Sequence, residues 1–303
     1  MRRIAATLAV VVALLFSAGS AWADWDDGVA AYKRGDYAAA FREFRTLAEQ
    51  GDADAQIVIG SFYRRGAGVP QNYAEAMKWY LKAAEQGYAK AQTNLGHMYD
   101  IGEGMPENDV EAVKWYRKAA EQGDEKAQTN LGSSYFEGAG VPQNYAEAMK
   151  WYLKAAEQGD AQAQYNLGTM YESGHGVPEN NVEAVKWYRK AAEQGYAEAQ
   201  YNLGNMYDAG RGVPENDAEA LKWYRKAAEQ SNGDAQYNLG IMYADGKGVP
   251  VNNVRAYMWW SLAKAQGDED AAHNLDIIKK EMTPAQIAKA QKLAAEWWEE
   301  HNN

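Results

Sequence analysis

The chain has 303 residues, a formal net charge of −11 at pH 7 and no cysteine. The missing cysteine excludes disulfides, thiolate metal ligands and cysteine nucleophiles. The acidic balance predicts no nucleic-acid partner, because phosphate binding relies on clusters of lysine and arginine.

The first 23 residues have the pattern of an export signal. Two arginines precede an apolar stretch over residues 4–16, and small residues lead to Ala21-Trp22-Ala23, a site of the A-x-A type. As a helix the apolar stretch would span about 20 Å, which is short of the roughly 30 Å hydrocarbon core of a membrane. We predict cleavage after Ala23, release to the periplasm or beyond it, and no stable membrane insertion afterwards. No cysteine follows the signal, so a lipoprotein anchor is not expected.

One unit recurs along the rest of the chain. A tryptophan followed by a second aromatic residue returns every 36 residues, at Trp79, Trp115, Trp151, Trp187, Trp223 and Trp259. Self-similarity at this period predicts a solenoid. We divide the chain into an export signal (1–23), a degenerate repeat that caps the N-terminus (24–51), six repeats (52–267), and a partial repeat with a capping helix (268–303).

The first half of each copy is predicted to be a helix followed by a tight turn. In the copy that starts after Gly87, the helix covers about residues 89–99, and Ala91, Leu95 and Met98 fall on one side at helical spacing. Residues 101–106 contain two glycines and a proline, which favour a turn and end the helix.

The second half is predicted to be a helix with a capping box. Asn108 would cap its start, Glu111 would reach back to the cap backbone, and Val110 would be buried. In the last copy Arg255 replaces the glutamate, so that helix start is expected to be weaker. Where one copy departs from the pattern at residues 231–233, we expect Asn232 to take the left-handed conformation.

The last helix is predicted to cap the array. Residues 284–300 place apolar side chains, including Trp297 and Trp298, along one face. Terminal repeats need an apolar inner side and a polar outer side, and this pattern fits that need.

No catalytic or metal-binding pattern is present in the sequence. The four histidines form no zinc motif, and the glycine-rich turns lack the lysine and serine or threonine of a phosphate-binding loop. The repeated tryptophans could stack on sugars or bases, but their place beside small residues favours core packing. We expect no catalytic residue, no metal ligand and no cofactor.

Comparing the copies isolates one group of candidate binding residues, which we call the variable stripe. It consists of three positions of each first helix, at i, i+4 and i+7, that differ between copies. Its members are Thr93, His97, Asp100, Thr129, Ser133, Phe136, Tyr165, Thr169, Glu172, Tyr201, Asn205, Asp208, Tyr237, Ile241 and Ala244. Thr93 lies roughly 200° around the helix from Leu95, so the stripe is expected to face away from the core.

Eight members of the variable stripe are our binding candidates: Thr93, His97, Asp100, Tyr165, Thr169, Tyr201, Asn205 and Tyr237. The tyrosines are the best of them, because tyrosine is enriched in binding surfaces. Neutral drift of exposed positions is the alternative interpretation.

The repeated motifs resemble a known family. Each copy approximates Ala-Gln-x-Asn-Leu-Gly-x-Met-Tyr, then Gly-x-Gly-Val-Pro, then Glu-Ala-x-Lys-Trp-Tyr-x-Lys-Ala-Ala-Glu-Gln-Gly. This resembles the Sel1-like repeat, a relative of the tetratricopeptide repeat, in a bacterial exported member. The resemblance implies an all-α, right-handed superhelical solenoid of stacked antiparallel helix pairs, with the variable stripe lining a concave groove.

The resemblance also implies a function. We expect an exported, non-enzymatic and monomeric adaptor that binds a protein or peptide in the groove. One alternative is a β-lactam or cell-wall hydrolase, an activity linked to a cysteine-rich subset of this family, although the paired cysteines of that subset are absent here. Another alternative is a secreted factor that binds a host protein or a surface glycan.

Overall fold

The computed structural model describes residues 22–301. The predicted export signal lies outside this range except for its last two residues, which begin the first helix. The described residues form sixteen α-helices and one short 3-10 helix, with no strand among them. They divide into two compact units, the first ending at Asp124 and the second beginning at Glu125, which are described separately.

Both units are built from helices that pack on their neighbours in chain order. The helices of the first unit are α1 (Trp22–Lys33), α2 (Tyr37–Glu49), α3 (Ala53–Arg65), α4 (Tyr73–Glu85), α5 (Ala89–Asp100) and α6 (Asp109–Glu121). Those of the second unit are α7 (Glu125–Glu137), α8 (Tyr145–Gln158), α9 (Ala161–Ser173), α10 (Asn181–Glu193), α11 (Ala197–Asp208), α12 (Asp217–Ala228), α13 (Gly233–Asp245), α14 (Asn253–Ala265), α15 (Glu269–Ile278) and α16 (Pro284–His301), with the 3-10 helix Lys279–Glu281 before α16. The predicted all-α solenoid of stacked helix pairs is confirmed. In the second unit α16 packs on α14 as well as following α15.

The asparagine caps are present, but the predicted capping box is only half formed. Asn108 Oδ1 accepts a hydrogen bond from the backbone N–H of Glu111 at 3.1 Å. The carboxylate of Glu111 does not reach back; it pairs with Lys114 instead. The backbone N–H of Asn108 already donates to the carbonyl of Tyr99 at 2.8 Å, so the donor that a capping box would satisfy has a partner. Arg255 leaves the last cap unchanged, since its backbone N–H donates to Asn252 Oδ1 at 3.1 Å.

The irregular link at residues 231–233 uses a different residue from the one predicted. Ser231 takes the left-handed conformation, with φ of 66°, at the position where the other copies have glycine. Asn232 instead caps α13, and its side chain accepts from the backbone N–H of Ala235 at 2.9 Å. The expectation for Asn232 was wrong because an asparagine oxygen placed three residues before a free N–H is a strong helix cap.

Within each unit, buried glutamines tie a repeat to the one before it and join the two helices of their own repeat. Within the second unit, Gln164 Nε2 donates to the carbonyl of Ala156 at 3.1 Å, near the end of the preceding helix. Gln164 Oε1 accepts from Gln194 at 2.8 Å, at the end of the following helix. The same pair of bonds forms around Gln92 in the first unit. Each of these glutamines adds a second hydrogen bond to a helix-end carbonyl, since the carbonyl of Ala156 also accepts from the backbone N–H of Gly159 at 3.1 Å.

The repeated tryptophans belong mainly to the core, as predicted. Four of them are buried, while Trp115 and Trp187 are half-buried. In all but the last of the six, a lysine three residues later covers the ring, as for Lys190, whose Nζ lies 3.9 Å from the ring centroid of Trp187. Two other expectations were wrong: Val110 is 52% exposed and Trp298 is 43% exposed. Trp298 adjoins the buried Trp297 and points outward, since adjacent helical residues are about 100° apart. Val110 lies two residues before the buried Ala112, about 200° around the helix from it.

Candidate binding surface

In five of the six copies the second helix sends a tyrosine ring under the first helix of its copy, and the hydroxyl emerges at the variable stripe; the sixth copy has Trp260 there. A glycine in the first helix makes the room, because a Cβ on Gly96 would lie 2.5 Å from Tyr116 Cδ1. Tyr116 is fully buried, and its hydroxyl donates to Asp100 Oδ2 at 3.2 Å. Part of the variable stripe therefore forms hydrogen bonds with buried core residues and is not free to contact a partner.

In the first unit, His97 of the stripe belongs to a compact polar cluster with Arg64, which stands in the preceding copy at the position of Asp100. Arg64 on α3 makes a two-bond ion pair with Glu103, in the turn after α5, and its Nη2 lies 3.2 Å from His97 Nδ1. Arginine donates only, so Nδ1 of His97 is the acceptor and the proton of the neutral ring is on Nε2. Burial, and then the charge of Arg64, lowers the pKa of His97 below its ordinary value. Burial raises the pKa of Asp100, against the effect of the hydrogen bond from Tyr116.

Thr93 is not part of an exposed surface. Its side chain is buried, and its Oγ1 lies 3.0 Å from Oδ1 of Asp124. Thr129 has the equivalent contact in the second unit, where its Oγ1 lies 2.9 Å from Oδ1 of Asp160. The predicted exposure of Thr93 was wrong. A helical wheel indicates which side of α5 packs in the core of its own copy, but it does not show that Asp124 covers Thr93.

The stripe tyrosines of the second unit are half-buried rings set on other rings. Tyr165 lies 5.8 Å from Tyr188 and 5.3 Å from Tyr196, measured between ring centroids. Tyr201 lies 6.0 Å from Tyr224 in the same way. Tyr237 is also partly buried against the core. We expected these rings to stand free on the side of the helix opposite the core. They are instead packed against other side chains, although each leaves part of its surface exposed.

The middle and last positions of the stripe contact the hydroxyls of the buried tyrosines. Tyr188 Oη lies 2.6 Å from Glu172 Oε2 and 3.3 Å from Thr169 Oγ1. Tyr224 Oη donates to Asn205 Oδ1 at 2.7 Å. Burial raises the pKa of Tyr188 and of Tyr224 well above the ordinary value, with Glu172 adding to the rise at Tyr188. Both hydroxyls therefore keep their protons and act as fixed donors.

The last position of the stripe pairs with the turn of the next copy, 39 residues later. The pairs within the units are Arg64–Glu103, Phe136–His175, Glu172–Arg211 and Asp208–Lys247. Three are ion pairs, and the fourth is an edge-to-face ring contact with centroids 5.7 Å apart. These pairs do not appear when positions are compared at the 36-residue period only. Matching charges at a spacing of 39 is the signal that would have found them.

Residues 22–301 contain no cluster of three or more histidine or acidic side chains placed to hold a metal ion. In the same range no helix is long and apolar enough to cross a membrane.

Comparison with known proteins identifies six repeats of 36 residues. The Sel1 repeat family model matches residues 53–88, 89–124, 125–160, 161–196, 197–232 and 233–268. A Sel1 repeat protein from Oxalobacter formigenes is 40% identical, with a TM-score of 0.73 over 81% of this chain and 98% of that one. The protein c5321, a protective antigen present in uropathogenic Escherichia coli strains, is 30% identical, with a TM-score of 0.57 over 93% of this chain and 77% of that one. A search of curated proteins gave no match.

Proposed function

This chain belongs to the Sel1 repeat family, and from that premise we propose that it is an exported, non-enzymatic adaptor that binds a protein or peptide through the variable stripe. Solenoids of this family are typical protein-interaction scaffolds. Export is supported by the pattern of residues 1–23, and places the adaptor in the periplasm or outside the cell.

The proposal depends most on the stripe tyrosines of the second unit. Tyr165 and Tyr201 are held by ring contacts behind them, yet remain half-exposed. A ring that is already ordered loses little conformational freedom when a partner covers it, which favours tight binding. Tyrosine is also common among the residues that dominate binding energy.

The experiment compares two variants that the repeats themselves suggest. Threonine stands at the first stripe position in two other copies, so Tyr165→Thr, Tyr201→Thr and Tyr237→Thr together should fold. Tyr88 is 40% exposed and lies outside the stripe; Tyr88→Asp introduces the residue that other copies have there, and is the matched control.

Each protein is used as bait in a periplasmic extract of the source organism, followed by mass spectrometry and titration of the captured partner. We expect the parent and the control to retain one partner, and the triple variant to bind it with a loss of more than about 2 kcal/mol. A folded triple variant that binds as tightly as the parent would refute the role of the stripe.

A secreted factor is the second candidate, and the similarity to the antigen c5321 favours it. Fractionation decides between the two locations: recovery in culture medium supports the secreted factor, and recovery in the periplasm supports the adaptor. Turnover of a β-lactam above that of heat-inactivated protein would favour a hydrolase instead.

A further inference from the structure

The second unit contains a cavity of about 390 Å³ where the capping helix α16 packs on α14. Arg225, Tyr243 and Arg255 line it, together with the indoles of Trp259 and Trp297. It lies away from the variable stripe, on side chains of α12, α13, α14 and α16. The volume is in the range of small-molecule sites.

The last copy departs from the repeat pattern at this cavity. The other five copies have a glutamate at the position of Arg255 and a lysine three residues later, and each pair forms an ion pair. Here the lysine is replaced by Met258, which also lines the cavity. The last copy thus exchanges an internal ion pair for one cation and one apolar side chain.

Two guanidinium groups face the same tyrosine. Arg225 Nη2 donates to Tyr243 Oη at 3.0 Å, and Arg255 Cζ lies 5.7 Å from the ring centroid of Tyr243. In the described part of the chain, neither arginine forms an ion pair. Glu229 also lines the cavity, but one carboxylate does not balance two guanidinium charges. Like charges held close to one ring repel, and an anion between them would remove that cost.

The rest of the wall is aromatic. The rings of Trp259 and Trp297 meet edge to face, with centroids 6.0 Å apart. Trp297 comes from α16, so the six repeats alone do not make this wall. Trp259 Nε1 is buried and has no hydrogen-bond partner among residues 22–301. Trp223 Nε1 shares this state, but its residue does not line the cavity.

We propose that this cavity binds a small organic carboxylate with an aromatic or aliphatic body. The carboxylate lies between Arg225 and Arg255, since guanidinium groups bind carboxylates through paired hydrogen bonds. The body packs on Met258 and on the indoles of Trp259 and Trp297. One face of Trp297 is covered by the ring of His301, whose centroid lies 4.1 Å away. A free metabolite and the C-terminal residue of a peptide share this chemistry.

The test titrates the purified full chain with 3-phenylpropionate, followed by calorimetry and tryptophan fluorescence. We expect saturable binding with a dissociation constant below about 1 mM. The neutral 3-phenylpropionamide should not bind, because it lacks the carboxylate. N-acetyl-Ala-Phe with a free C-terminus distinguishes the sources: tighter binding than 3-phenylpropionate supports a peptide, and weaker binding supports a free metabolite.

Two variants test the site itself. Arg255→Glu restores the residue of the other five copies, so it should fold, and it should weaken binding by at least about tenfold. Glu183→Arg makes the reverse change two copies earlier and should leave binding unchanged. Circular dichroism and thermal melting check that both variants are folded.

Three results would overturn the proposal. They are no saturable binding of either carboxylate probe, unchanged binding by folded Arg255→Glu, and displacement of 3-phenylpropionate by an equal concentration of inorganic phosphate. The last result would show a simple anion site with no selection for an organic body.

Discussion

Replacing Gly168 with alanine tests the close packing of a first helix on a second. A Cβ at Gly168 would lie 2.5 Å from both Cδ1 and Cε1 of Tyr188. Ordinary carbon contacts are about 3.5–4.0 Å, so the ring would have to move by about 1 Å. It has little freedom to do so, because Tyr188 is fully buried and its hydroxyl is bonded to Glu172 at 2.6 Å. Overpacking of this kind costs about 1–3 kcal/mol.

The helix propensity of alanine returns about 1 kcal/mol. Because the ring is fixed, we expect the upper end of the overpacking cost and a net loss of about 2 kcal/mol in the free energy of unfolding. Urea unfolding followed by far-ultraviolet circular dichroism measures it. Gly233→Ala is the matched control: its Cβ would meet Gln266 Oε1 at 3.5 Å, an ordinary contact, and four other copies have alanine there. The control should gain about 0.4–1 kcal/mol. If Gly168→Ala is as stable as the parent while the control gains stability, the close contact with Tyr188 is wrong.

Three further changes test other contacts. Lys247→Glu should cost about 0.2–1 kcal/mol in low salt, and adding Asp208→Lys should restore that loss, as measured by urea unfolding with and without 1 M salt. Leu167→Ala removes a fully buried side chain and should cost about 2–5 kcal/mol by the same assay; a change below 1 kcal/mol would contradict its burial. The lowered pKa of His97 means that the unfolded chain binds more protons than the folded chain between the two pKa values, so stability should fall as pH drops through about 6.5. His97→Gln should reduce that slope, and an unchanged slope would contradict the prediction.

The helices and turns follow closely from the sequence, because they depend on interactions within one copy. Leu95 and Met98 are buried as their spacing predicts, and Gly102 and Gly104 take positive φ in the turn. The half of the cap that depends on the Asn108 side chain also forms as predicted. In each case the partner lies within a few residues of the chain.

The errors concern contacts with other parts of the fold. Thr93 is buried by Asp124, which lies 31 residues later, and no pattern within a single helix contains that information. Glu111 does not complete its capping box because the carbonyl of Tyr99, from the first helix, already satisfies the cap N–H. Burial of an amphipathic face was predictable, but the particular neighbour that covers each remaining side chain was not.

At the last position of the stripe, the differences between copies occur in matched pairs. Within the units, the last stripe position changes together with a turn residue 39 positions later: a glutamate faces Arg211, an aspartate faces Lys247, and a phenylalanine faces His175. Such matching preserves contact between neighbouring copies while the chemistry of the surface changes. Tyr165 and Tyr201 differ from these pairs, because a ring-on-ring contact anchors each of them and still leaves part of its face open. A partner would gain most at these two positions, since covering an ordered ring buries apolar area without breaking an ion pair between copies.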